Sequence, residues 1–320
     1  MAAPFEDALA DLRISGSVLL HERYAAPWAI DVPPEAALRA ALKMTTTDRV
    51  MPFHLVRQGG FDLRWPERSV LTVGLNDVAI CPGGQAHRMA AGQASAATKL
   101  EDILAGRGPR PAKADAKTED VTELVCGVFI LRAAPLNPLL AALPPILTVP
   151  TSGPDVDPML AQAASMMASD LARTPTRDSF TTARLIEIFC AEAVRAYRST
   201  AGAATQGWFR GLSDPRLAAA IAAVHEDPAA PWTVASLADL AALSPSRFAA
   251  RFRDGLGETV LGYVSRWRMN LACRLLRETE LNLSEIAHRV GYDSPGSFIR
   301  AFRAALKTTP HAWRRASVLD

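Results

Sequence analysis

Over the first 150 positions the apolar residues come in short runs, Val50 to Arg57, Phe61 to Trp65, Ser69 to Val73 and Val78 to Ile80, broken by Gly, Pro and Asn or Asp. Such runs between turn residues predict strands. Gly59-Gly60 reads as a hairpin turn, and Thr122 to Leu131 as a returning strand. The intervening stretch 92–117, rich in Ala, Gly, Pro and Lys, predicts a long surface loop. After Pro144 to Pro158 the period changes: Met159, Met166, Met167 and Leu171, then Leu185, Ile188, Phe189 and Ala193, recur at helical intervals on either side of Pro175. These two helices either complete the core of the β-rich part or form a dimer interface. Ser199 to Gly207 lacks large apolar residues and predicts a linker. Beyond it the pattern is helical, with Asp214-Pro215 opening one helix through Val224 and Thr233 or Ser236 capping the next.

The helical part repeats itself. Leu237-Ala238-Asp239-Leu240-Ala241-Ala242-Leu243-Ser244-Pro245-Ser246-Arg247-Phe248 matches Ile286-Ala287-His288-Arg289-Val290-Gly291-Tyr292-Asp293-Ser294-Pro295-Gly296-Ser297-Phe298 with one inserted residue. Phe248, Phe252, Arg253 and Leu256 then correspond to Phe298, Phe302, Arg303 and Leu306. Each copy predicts a short helix, a tight turn and a second helix, the grammar of a helix-turn-helix. Gly291 suits a left-handed helix stop, while Ser244 and Ser294 can cap helices that start with Pro245 and Pro295.

Phenylalanines four apart share one helix face, which must point inward. The outward face then carries Ser246, Ala249, Ala250 and Arg253 in the first copy, flanked by Arg247 and Arg251, and Gly296, Ile299, Arg300 and Arg303 in the second. A helix that reads a major groove needs small residues for close approach, side chains that fork onto base edges, and cations for phosphates. The second copy meets all three needs. The first, with alanines at the centre of its face, is expected to hold the backbone through Arg247, Arg251 and Arg253 more than to discriminate bases.

Charge supports this division. The chain of 320 residues carries only +2 overall, yet residues 235–315 hold thirteen Lys/Arg against seven Asp/Glu, an excess of six. One segment is therefore the basic footprint expected of a domain facing a polyanion. A length of 320 residues suggests two domains, and 49% hydrophobic with 21% charged residues suits folded chains. No apolar run approaches the roughly 20 residues that span a bilayer, and Glu6 and Asp7 stand where a signal peptide is basic, so no membrane role and a cytoplasmic location are expected. Cys81, Cys126, Cys190 and Cys273 form no CxxC pair and suggest reduced thiols.

From about Leu217 to Arg315 the chain resembles the AraC/XylS regulators. The resemblance rests on Ser244-Pro245-Ser246-Arg247-Phe248, the linking helix Tyr263 to Arg277, the run Ile286-Ala287-His288-Arg289-Val290-Gly291-Tyr292, and Thr309-Pro310 with Trp313-Arg314. It implies two recognition helices in adjacent major-groove segments of double-stranded DNA. By that resemblance the base contacts fall on Ser246, Ala249 and Ala250, and on Gly296, Ser297, Ile299 and Arg300. It also implies a homodimer, contact with RNA polymerase, and activation rather than repression.

Asn76-Asp77-Val78-Ala79-Ile80-Cys81-Pro82-Gly83-Gly84-Gln85-Ala86-His87 is similar to the second cupin motif, G(x)5PxG(x)2H, with Asn76 in place of the leading Gly. With Phe53-His54-Leu55-Val56, Trp28 and Cys126-Gly127-Val128-Phe129 it resembles the cupin sensor domain of some AraC regulators, over about residues 5–190. The resemblance implies a small effector, with Trp28, His54, Trp65, His87 and Phe129 as candidate contacts. The aromatics Trp28, Phe53, Phe61, Trp65 and Phe129 either line a pocket or form core. An enzymatic cupin carries His-x-His in its first motif, whereas only His54 stands here, followed by Leu55 and Val56. His54 and His87 with Cys81 or Cys126 are candidates for a divalent metal such as zinc, or else structural histidines. No basic cluster flanks Cys81 or Cys126 to activate a thiol.

The expectation is thus an α+β protein of two domains: a cupin-like β-barrel with accessory helices over 1–198, a linker over 199–212, and an all-α domain with two helix-turn-helix units over 213–320. It is expected to regulate transcription and not to be an enzyme. The rivals are a metal-dependent cupin enzyme whose helical tail serves oligomerisation, and a ligand-binding scaffold that recruits proteins without touching DNA.

Overall fold

The computed structural model describes residues 4–317 apart from 46, 66–68, 95, 116–118, 133–134, 174–178 and 202–206. Helix α1 (Pro4–Asp11) leads into strands β1 (Ile14–Ala25) and β2 (Trp28–Val32), helix α2 (Glu35–Ala41), and strands β3 (Arg49–Gln58), β4 (Phe61–Trp65), β5 (Ser69–Val73), β6 (Asp77–Ile80), β7 (His87–Ala91) and β8 (Thr98–Lys99). Helix α3 (Leu100–Leu104), β9 (Val121–Leu131), α4 (Pro138–Ala142) and β10 (Leu147–Pro150) complete this part. One sheet has the order β1-β9-β3-β6-β10 and the other β5-β4-β7-β2-β8, and every pairing is antiparallel except β2 with β8.

Alternation along β3 and β9 assigns the two faces of the first sheet. Val50, Val56, Leu124, Cys126 and Val128 face the interior shared with Trp28, Ile30, Phe61, Leu63 and Met89 of the second sheet. Met51, Phe53, Leu55, Val125 and Phe129 face outward. That face is covered by two long helices, α5 (Pro158–Arg173) and α6 (Phe180–Ala201), which bury Leu160, Met167, Leu185, Ile186 and Phe189 against it. At the closest approach a Cβ on Gly16 would lie 2.6 Å from Ile186, so glycine is what lets α6 lie on β1. Met159, Met166 and Ile188 stay exposed, so the helical stripe only partly serves the core.

The helical part comprises α7 (Trp208–Ser213), α8 (Pro215–Glu226), α9 (Val234–Leu240), α10 (Pro245–Leu256), α11 (Val260–Glu278), α12 (Leu283–Arg289), α13 (Pro295–Leu306) and α14 (Pro310–Ser317). As expected, Asp214 caps α8 by accepting from the Arg216 amide, and Thr233 and Ser236 form a reciprocal capping box on α9. Among the described residues no helix is long and apolar enough to cross a membrane.

Three details depart from or add to expectation. The stretch 92–117 is loop over most of its described residues, as expected, but it also adds β8 to β2, buries Leu100 and Ile103 through α3, and bridges Lys113 to Tyr24. Its many small residues hid two apolar anchors. The stretch expected as linker is helical at its two described ends, since α6 runs to Ala201 and α7 buries Trp208 and Phe209; positions 202–206 lie outside the described residues, as does Pro175. Finally, Ser244 precedes α10 without a side-chain cap bond, unlike Ser294 on α13.

Burial of Trp208 and Phe209 has a consequence for architecture. Phe5, Leu9, Phe209, Leu217, Phe248, Phe252 and Tyr263 belong to one hydrophobic core that also contains Phe53 and Phe189. The first helix-turn-helix unit therefore shares its core with the β-rich half. The second has its own, built on Met269, Ile286, Val290, Phe298, Phe302 and Trp313. Polar contacts close the remaining boundary: Asn270 and Arg274 of α11 donate to buried Asp11, Arg277 Nη1 meets Asp48 Oδ1 at 2.6 Å, and Arg13 Nε meets Glu278 Oε1 at 2.9 Å.

Candidate nucleic-acid interface and barrel site

The two helix-turn-helix units position α10 and α13 by the same means. Phe248 and Phe252, and likewise Phe298 and Phe302, are at most 2% exposed and anchor each helix by its inner face. Full burial of each ring is worth about 1.5–3 kcal/mol, enough to fix the rotation of a twelve-residue helix. Pro245 and Pro295 start the helices, and left-handed residues Gly257 and Lys307 end them.

Fixing that rotation leaves Ser246, Arg247, Ala250, Arg251 and Arg253 exposed on α10, with Ala249 half-buried. On α13 Gly296, Arg300 and Arg303 are exposed, while Ser297 and Ile299 are half-buried. Ile299 leans on the core of the second unit, and Ser297 is engaged in the cap, its hydroxyl donating to Ser294 O at 2.8 Å. Arg251 pairs with Asp214, the cap of α8, whereas Arg247, Arg253, Arg300 and Arg303 carry no ion pair among the described residues. The outer faces are therefore apolar-poor, cationic and open.

The barrel interior holds the second constellation. His54 on β3 and His87 at the start of β7 face each other with Nε2 atoms 2.8 Å apart, and Cys81 Sγ stands 3.9 Å from His87 Nε2. All three are buried, and their ligand atoms lie within 4.8 Å of one another. Cys126 sits opposite His54 in the β3–β9 register and is buried, but it lies outside this cluster, which corrects its inclusion among the ligands. Phe129 also leaves the candidate site: it stacks on Phe53 at 4.5 Å on the outer face, toward Phe189 of α6. Trp28 is interior, packed on Tyr24 and Phe61, with an Nε1 that has no hydrogen-bond partner among the described residues. Trp65 is half-buried and lines, with His87, Arg64, Arg88 and Lys99, an open cleft of about 530 Å³.

Hydrogen bonding fixes the tautomers. A carbonyl can only accept, so His87 Nδ1, 2.8 Å from Gln85 O, carries its proton and its Nε2 is a free lone pair that accepts from His54 Nε2–H. His54 Nδ1 is left buried without a partner among the described residues. Burial holds both imidazoles below their ordinary pKa, with His87 adding to the effect at His54, so both are neutral; His87 offers Nε2 as it stands, and His54 would offer its Nε2 once the proton there sits on Nδ1 instead. Burial pushes the Cys81 thiol up, so it stays protonated unless a cation displaces the proton.

This donor set fits a soft cation. Two imidazoles and a thiol suit zinc, and a ligating histidine is normally held by its second nitrogen, as His87 is by Gln85. Tetrahedral bonds of about 2.05 Å to nitrogen and about 2.3 Å to sulfur place ligand atoms about 3.3–3.6 Å apart. The observed separations of 2.8 and 3.9 Å bracket those values. His54, Cys81 and His87 would hold such an ion, which would supply a charge able to draw the thiol into thiolate form.

Sequence comparison recognises both halves. A family model described as Cupin matches residues 3–199, and one described as Helix-turn-helix domain matches residues 237–316. A putative AraC-like transcription regulator of Streptomyces lividans is 38% identical over 192 residues, covering 60% of this chain. The match takes in 63% of that relative's own length. The HTH-type transcriptional regulator AlkR of Acinetobacter baylyi is 27% identical, covering 96% of this chain and 97% of its own. The solved DNA-binding domain of AdpA in complex with a target DNA is 33% identical, covering 32% of this chain and 92% of that one, with a TM-score of 0.31. The chain thus belongs to the family described as Cupin and carries a helix-turn-helix domain behind it, and the relatives it matches are named AraC-like or HTH-type transcription regulators.

Proposed function

We propose that the protein binds double-stranded DNA through α10 and α13 and alters transcription in response to a small effector or a soft metal such as zinc held in the cupin barrel. The observation that carries this reading is the duplicated helix-turn-helix whose phenylalanines are buried and whose opposite faces are open and cationic. Gly296 admits close approach, Arg300 can fork onto a guanine edge, and Arg303 is placed for phosphate. On α10 the small Ser246, Ala249 and Ala250 allow contact while Arg247 and Arg253 supply charge, so anchoring dominates there.

The division of labour follows from the same reading: residues 1–198 sense, 213–320 bind DNA, and 199–212 join them. Dimerisation through α5 and α6 draws support from the exposed Met159, Met166 and Ile188. Activation through RNA polymerase is the expectation of the family. Effector contacts in the barrel are assigned to Trp28, His54, Trp65 and His87, supported by the unpartnered Trp28 Nε1 and His54 Nδ1.

The decisive experiment selects bound duplexes from a random pool with the full chain and repeats the selection with Arg300→Ala. Base preference should vanish from one half of the selected site and persist in the other. An identical selected sequence with the variant would show that α13 does not present Arg300 to bases.

A further inference from the structure

The trio His54, Cys81 and His87 is tied to the DNA-binding half by a continuous set of contacts. Cys81 and His87 bracket a tight turn in which the Gly84 amide donates to Cys81 O at 2.9 Å. Gly84 O in turn accepts from the Glu35 amide at 2.7 Å. The Glu35 carboxylate receives the Val50 amide at 3.0 Å and Arg39 Nη1 at 3.1 Å. Arg39 Nη1 also donates to Asp48 O at 3.0 Å, and the Asp48 carboxylate holds Arg277 of α11 at 2.6 Å. Arg49 adds a parallel strut to the turn through Pro82 O at 3.3 Å.

Little slack exists in this chain. A Cβ on Gly84 would lie 2.8 Å from both Glu35 Cβ and Val50 O, so the turn packs directly on α2 and the start of β3. Asp48 and Arg277 have side chains only 2% and 12% exposed, so their pair is weakly screened by water. A bound tetrahedral cation needs the two Nε2 atoms at about 3.3 Å, and they stand at 2.8 Å, so occupancy has to widen the gap between the rings by about half an ångström, a load that reaches the turn carrying His87.

We propose that Glu35, Arg39 and Asp48 form a relay through which the Cys81–His87 turn reports occupancy of the trio to Arg277 on α11, the helix that joins the two helix-turn-helix units. This rests on the reading that the trio holds a soft cation. Because coupling is reciprocal, breaking the relay at its far end must change affinity at the trio, whose members lie 190 to 223 positions away in sequence. With the relay closed the trio is held short. Opening it relieves the strain of binding and raises affinity.

The test is a Zn²⁺ titration of the full chain against a chromophoric chelator. Wild type should bind one equivalent, and Cys81→Ser should lose that binding. Arg277→Ala should bind Zn²⁺ at least about five-fold more tightly, the low end of ordinary coupling. Asp48→Asn, which keeps the size of the side chain, should shift in the same direction and covers the case in which Arg277→Ala does not fold. Arg13→Ala breaks an exposed ion pair across the same boundary without touching the relay and should leave affinity unchanged. If zinc binds but Arg277→Ala and Asp48→Asn match Arg13→Ala, the relay is overturned while the trio stands. If wild type binds no more zinc than Cys81→Ser, the trio reading falls and takes the relay with it. In the zinc-free chain, amide exchange at Glu35 and Gly84 should accelerate in Arg277→Ala and not in Arg13→Ala; equal rates overturn the relay independently of any metal.

Discussion

Ala242 and Gly291 hold the same place in the two helix-turn-helix turns and the same left-handed backbone, with φ of +51° and +82°. At the far ends of the recognition helices the assignment reverses: Gly257 has φ +79° and its counterpart Lys307 has φ +57°. Each unit thus carries one glycine and one strained side chain at its two left-handed positions. A non-glycine residue in this region costs about 1–2 kcal/mol.

Ala242→Gly should accordingly raise the stability of the chain toward urea by about 0.5–1 kcal/mol, since the relieved strain is partly offset by the extra freedom of unfolded glycine. Gly291→Ala should do the opposite and by more. Its new Cβ would lie 2.7 Å from the Arg268 guanidinium, which is held by Pro228, Ala230 and Gly291 carbonyls and so cannot move away freely. Equal urea midpoints for wild type and both variants would remove the strain argument.

The same turns show how much of the fold was legible from sequence. The repeat, its one-residue insertion, the phenylalanine faces and the Gly291 stop were all readable because they are local and periodic. So was the pairing of His54 with His87, through resemblance to a motif. What was not readable depends on strand register and tertiary packing. Cys81 and Cys126 are equivalent in sequence terms, and only the path of β6 into β7 places the former on His87. Phe129 looks like a pocket residue until the register of β9 with β3 turns it toward α6. The pairing of Asp48 with Arg277 joins residues with no pattern to link them, and no signal in the chain could have found it.

Salt dependence of DNA binding should distinguish the arginines of α10. Each cation placed on a phosphate contributes close to one unit, about 0.9, to the slope of log affinity against log salt. Arg253 is exposed and has no ion pair among the described residues, so Arg253→Ala should lower the slope by about that amount. Arg251 is already paired with Asp214, so Arg251→Ala should change it by clearly less. Equal slope changes in the two variants would mean that the Asp214 pair opens on the DNA.

All four cysteines are buried, and burial pushes the thiols of Cys81, Cys126, Cys190 and Cys273 up. Thiolate, the reactive form, is therefore scarce and screened from reagent. A chromogenic disulfide reagent should label the native chain only slowly at neutral pH and release four equivalents of thiol once denaturant is added. A thiol that reacts within seconds in the native chain would reopen direct sensing of oxidants or electrophiles by cysteine.

Acid should weaken the junction around His225. Its ring is stacked on Trp267 at 3.7 Å between centroids, and its Nε2 accepts from Tyr263 Oη at 2.7 Å, which itself accepts from Trp208 Nε1 at 3.1 Å. Asp7 stands 3.7 Å from His225 Nδ1, too far for a hydrogen bond, and Arg266 adds like charge nearby. Burial first, and Arg266 second, depress the imidazole to about 3 from an ordinary 6.5. The unfolded imidazole takes up its proton near 6.5 and the folded one does not, so this stabilising contribution is complete above that pH and is lost as pH falls toward 3. At pH 5 the loss is about 2 kcal/mol, at about 1.4 kcal/mol per unit over the interval below 6.5. His54 and His87 act with the same sign, so the informative quantity is a difference between variants. Glutamine at this position can still accept from Tyr263 but cannot titrate. Urea unfolding of His225→Gln should therefore fall less steeply than wild type between pH 7 and pH 5, by about those 2 kcal/mol, and parallel pH profiles would show that His225 is not buried in its neutral form.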